Sequence, residues 1–81
     1  MANALLTQLD AVKGFLLAME GTETFEEAVQ SQQVAVLATI SNVSASLTMD
    51  DKATVVTRLR QMPWPAKSLR ALLQQVNATA G

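Results

Sequence analysis

From residue 5 to residue 19, Leu5, Leu9, Val12, Leu16 and Met19 recur at alternating steps of four and three. An α-helix brings positions spaced in this way onto one stripe, so the chain opens with an amphipathic helix that must find partners for its apolar side. The spacing predicts that this helix starts near Asn3, its N-cap, and ends at Glu20, where Gly21 supplies the left-handed residue that commonly follows a helix. Leu6 and Leu17 widen the stripe beyond what one neighbouring helix covers. Gly14 costs such a helix about 1 kcal/mol relative to alanine and reads as a point where another backbone comes close.

Thr24-Phe25-Glu26-Glu27 has the form of a capping box, so a second helix is expected from Phe25. Glu26 and Glu27 also suit the positive end of its dipole, which accounts for them without a catalytic role. Phe25, Val29, Val36, Ile40, Val43 and Leu47 keep helical spacing, interrupted by Gln32 and Gln33. Residues 34–47 carry a second pattern as well: a β-branched run followed by Val43, Ala45 and Leu47 alternating with polar residues, as in a hairpin turning at Ser41-Asn42. Helix is the favoured reading, because a lone two-stranded hairpin is marginal and Ser-Asn lacks the glycine of favoured hairpin turns. A helix from Phe25 to about Ser46 runs roughly 33 Å. Being apolar all round between Val34 and Ile40, it is expected in the middle of a bundle.

Thr48 or Asp50 is placed to cap a third helix, with Asp51 in its first turn and Arg58 and Arg60 near its last. Ala53, Val56 and Leu59 are expected to form its buried face, with Val55 and Met62 flanking. Pro63-Trp64-Pro65 then breaks the chain, and Pro65 fits the first position of a fourth helix reaching about Asn77. Leu69, Leu72, Leu73 and Val76 form its apolar side, and the tail from Ala78 is expected to fray. The fold class that follows is all-α, a single domain over residues 1–81, with three or four helices in a bundle or in helical hairpins completed by oligomerisation.

Composition narrows the chemistry. Apolar residues make up 49% of the chain and charged residues 16%, the balance of a chain that folds. It contains neither Cys nor His, so disulfides, the usual zinc sites and the commonest general base are all excluded. No Ser or Thr is spaced to meet an activating Lys or carboxylate, and Asp50 and Asp51 are adjacent on a helix without a glycine-bearing calcium loop. The expectation is a non-enzyme with no cofactor, no metal and no small-molecule substrate. The apolar run at residues 34–38 is far short of the roughly 20 residues that a membrane span needs, and no basic residue precedes Leu5 and Leu6 to suggest a secretory signal. A cytoplasmic protein is therefore expected, and the sequons Asn42-Val43-Ser44 and Asn77-Ala78-Thr79 are chance matches.

Charge is divided along the chain. Residues 1–51 hold all seven carboxylates and only Lys13, a charge of −6, whereas residues 52–81 hold Lys52, Arg58, Arg60, Lys67 and Arg70 and no acid, a charge of +5. The two halves can attract each other within one fold or across a dimer. Lys67, Arg70, Gln74 and Asn77 share one face of the fourth helix, which a DNA-recognition helix could also present. A pI near 5.1 argues against that use. Trp64, held between two prolines, reads as an internal wedge or as an exposed anchor for a partner.

The functional expectation is a protein–protein interaction module that assembles with itself or modulates a larger protein. The alternative is a small DNA-associated regulatory factor. The candidate partner-binding residues are Leu9, Leu16, Trp64, Arg58, Lys67 and Arg70. The wide arc of the first helix is expected to be covered by a second copy, with each acidic half beside the basic half of its partner.

Overall fold

The computed structural model describes residues 2–79. They form α1 (Ala2–Met19), α2 (Phe25–Val43), α3 (Met49–Arg60) and α4 (Ala66–Ala78), with a 3-10 turn at Ser44–Ser46 and no strand among the described residues. α1 packs against α2 and α3, and α4 packs against the same two helices. The helices thus form a ring in the order α1, α2, α4, α3, built from two successive helix pairs and measuring 38 × 21 × 19 Å. The second pair is shorter: at 1.5 Å per residue α1 and α2 span about 27 and 28 Å, α3 and α4 about 18 and 20 Å.

The stripe that predicts α1 is the stripe that α1 buries. Leu5, Leu9, Val12 and Leu16 meet Val29, Val36 and Ile40 of α2, Val55 and Leu59 of α3, and Leu72 and Val76 of α4 in one core. Burial of each large side chain contributes about 1.5–3 kcal/mol, and the core closes within a single chain. Residues 34–47 are helix and turn, which removes the hairpin alternative. α2 is not buried all round, however: Val34 is 68% exposed, and Ala35 and Ala38 are exposed too. Each helix in a ring of four keeps a solvent side. α2 stops at Val43, short of Ser46, because Ser44 and Ser46 turn their hydroxyls back to the carbonyls of Ser41 and Val43 and tighten the last turn.

The helix boundaries follow local chemistry with some departures. Gly21 closes α1 at φ +80, as its lack of a Cβ permits. Asn3 lies inside α1, which begins at Ala2. Gly14 is no point of close approach, since a Cβ placed there meets nothing within 4 Å. Thr24 sits at φ −99, ψ 10 and makes no side-chain cap. The tight turn in which Phe25 N–H donates to the Thr22 carbonyl keeps Thr24 out of the extended geometry a capping hydroxyl needs. The reciprocal box forms at α3 instead: Thr48, at φ −81, ψ 171, accepts from the Asp51 amide, and Asp51 accepts from the Thr48 amide. Pro65 is the N-cap of α4 rather than its first residue. Of the tail expected to fray, Ala78 ends α4 and Thr79 is buried, its hydroxyl donating to the Val76 carbonyl and its own carbonyl accepting from Lys52 Nζ at 2.7 Å; Ala80 and Gly81 lie outside the described residues.

α3 keeps part of the expected face and is rotated from the rest: Leu59 is buried as expected, and the flanking Val55 and Met62 take the places expected for Ala53 and Val56. Val55, Leu59 and Met62 point inward, while Ala53 is exposed and Val56 half-buried. The reason is Arg60, which lies in line with Ala53 and Val56; turning that line inward would bury an unpaired guanidinium.

Candidate interaction surfaces

Three of the candidate contact residues belong to the core. Leu9 and Leu16 are 1% and 0% exposed, so they hold the bundle together and offer no surface to a second protein. Trp64 is 7% exposed and is the internal wedge of the α3–α4 connector. Its amide donates to the Met62 carbonyl at 2.8 Å, while its indole Nε1 is buried with no hydrogen-bond partner.

The charged candidates face solvent, but not as one site. Arg58 of α3 pairs with Asp10 of α1, which joins the basic half to the acidic half inside one chain. Both side chains are more than a third exposed, so the pair contributes little to stability. Asp10 and Arg58 stand at the edge of a cleft of about 570 Å³ between α1 and α3, with Lys13, Thr57 and Gln61 around it and Leu9 and Met62 at its base. Lys67, Arg70, Gln74 and Asn77 are all exposed along the outer face of α4, as their spacing requires. Asp50 and Asp51 do not act together, since Asp51 is taken up in the helix cap while Asp50 points to solvent. Among the described residues no three carboxylates converge as a metal site would need.

Apolar surface remains outside the core. Phe15 and Leu17 of α1 are about half exposed, and Val34 of α2 and Met49 of α3 more so. On α1, Phe15 and Leu17 flank an outward line of small residues, Thr7, Ala11, Gly14 and Ala18. On α3, Met49, Ala53 and Val56 lie beside a depression of about 550 Å³ that Asn77 of α4 borders. Two residues of this patch, Ala53 and Val56, are among those expected to face inward with Leu59; Met49 is not singled out by the sequence pattern, and its 75% exposure marks the outward side.

No helix among the described residues is long and apolar enough to cross a membrane. Comparison of the chain with protein-family profiles, with characterised proteins and with solved structures finds no match.

Proposed function

We propose that this chain is a non-catalytic, cytoplasmic interaction protein, acting by self-assembly, by binding and modulating a larger protein, or both. The observation that carries this reading is that large apolar side chains stay on the surface after the core has closed. Phe15, Leu17, Val34 and Met49 are all at least 44% exposed, and Met49 is grouped with Ala53 and Val56 beside one depression, the kind of clustered apolar surface that supports an interaction site. Purification of the tagged chain from its native host tests it. The expected result is a stoichiometric companion, a second copy or another protein, that is lost from at least one of the variants Phe15→Glu, Val34→Glu and Met49→Glu. Recovery of the chain alone, or a companion indifferent to all three, overturns the reading.

A second reading, a DNA-associated regulatory factor, is favoured by one observation: Lys67, Arg70, Gln74 and Asn77 are exposed together on α4. Arg70 and Gln74 would reach base edges and Lys67 a phosphate. It ranks second because seven carboxylates on the same small chain repel the phosphate backbone.

A further inference from the structure

α3 has two apolar faces; the bundle buries one and uses only the edge of the other, where Val56 packs partly against the core. Val55, Leu59 and Met62 are buried. Met49, Ala53, Val56 and Arg60 follow one another at steps of four, three and four, so they form a second line about a third of a turn away from the first. Along it Met49 is 75% exposed, Ala53 and Arg60 are exposed and Val56 is half-buried. A large side chain at one end, a small one in the middle and a depression alongside give this face the relief of a helix-packing surface.

Charge says what covers it. The first turn of α3 carries Asp50, exposed and not engaged by its side chain in the cap, and the last turn carries Arg60, exposed at the end of the apolar line. Lys52, also in the first turn, is held by the Thr79 carbonyl and Arg58 by Asp10. The charges α3 leaves unengaged are thus an acid at one end and a base at the other, a pattern complementary to itself when turned end for end. An unrelated partner would have to supply the same pattern; a second copy has it.

We propose that the Met49, Ala53 and Val56 face of α3 is the docking surface for α3 of a second copy, the two helices crossing antiparallel about a two-fold axis. In that arrangement Ala53 of each protomer lies against Val56 of the other, the small side chain allowing the helices to approach closely. Asp50 of each then stands near Arg60 of the other, and the two-fold makes each contact twice. The guanidinium that could not be turned into the monomer core without a partner is matched here by a carboxylate. Because α3 is only about 18 Å long, the crossing covers less than the roughly 800 Å² per partner of a standard interface, so the dimer is weak, forming at tens to hundreds of micromolar. This proposal rests on the interaction reading above and specifies its partner and its surface.

Sedimentation of the purified full chain across that concentration range is the test. The weight-average mass is expected to rise from 8.7 kDa toward twice that value. Ala53→Glu is expected to hold the mass at one chain while leaving the helical circular dichroism and the melting temperature nearly unchanged, since residue 53 is exposed. Asp50→Arg alone and Arg60→Asp alone are each expected to weaken association about tenfold. An equimolar mixture of those two variants restores it, because each opposed pair then again holds one acid and one base. A chain that stays monomeric throughout, a dimer indifferent to Ala53→Glu, or a mixture that fails to recover each overturns the proposal. A monomeric result leaves the interaction reading standing, and that reading falls only if purification from the native host recovers no dependent companion.

Discussion

Two threonines with the same local sequence pattern have opposite fates, and the difference is one backbone angle. Thr24 and Thr48 each precede a helix with an acid three residues on, but only Thr48 has the extended ψ that aims its hydroxyl at the third amide of the helix. Thr48→Ala is therefore expected to cost about 1 kcal/mol, and Thr24→Ala only a few tenths, in urea unfolding followed by circular dichroism. A Thr48→Ala loss as small as the few tenths expected for Thr24→Ala would show that the box at Thr48 does not stabilise α3. The glycines make a second contrast. Gly14 is helical, exposed and free of neighbours, so Gly14→Ala is expected to stabilise the protein by about 0.5–1 kcal/mol. Gly21 holds φ +80, and alanine there is expected to destabilise it by about 1 kcal/mol. A stabilised Gly21→Ala protein would contradict the left-handed closure of α1.

At the scale of elements, periodicity legible in the sequence locates all four helices, and it fixes the buried face wherever one stripe is clearly the largest. Leu5, Leu9, Val12 and Leu16 leave α1 no alternative, and Leu72 with Val76 sets α4. α3 is harder, because Ala53 with Val56 and Val55 with Leu59 offer competing stripes of similar size. Spacing also sets Arg60 in line with Ala53 and Val56, at steps of three and four, so the charge that marks this line as the solvent side is legible in the sequence once it is weighed against the apolar residues. Two of the candidate contact residues, Leu9 and Leu16, stand in the core for a related reason. Leu9 and Leu16 belong to the strongest apolar stripe, and the strongest stripe goes to the core before any partner arrives. The residues left for a partner come from weaker, secondary lines such as Met49, Ala53 and Val56. The tie that holds Thr79 is not legible locally, because the Lys52 to Thr79 hydrogen bond spans 27 residues and no local pattern announces it.

For the whole molecule, the charge division along the chain becomes a division in space that is only partly neutralised. Asp10 and Arg58 meet across α1 and α3, but Glu20, Glu23, Glu26 and Glu27 gather around the α1–α2 turn while Lys67 and Arg70 line α4. With only five basic groups in its C-terminal half, the protein can displace few counterions from a duplex. Binding to duplex DNA is expected to be weak at low salt and absent near physiological salt in a fluorescence-anisotropy titration. Submicromolar affinity at physiological salt, lost in Arg70→Ala, would promote the regulatory-factor reading above the interaction reading.

Trp64 also gives the molecule a single optical label. The chain has one tryptophan and no tyrosine, so its emission excited at long wavelength arises entirely from the α3–α4 connector. An indole buried without a hydrogen-bond partner emits toward the blue and is poorly reached by a dissolved quencher such as acrylamide. Loosening of the joint between the two short helices would therefore redden the emission and open it to quenching while the far-ultraviolet signal, spread over all four helices, barely changed. Light alone would then distinguish a hinge opening at one corner from the melting of the whole bundle.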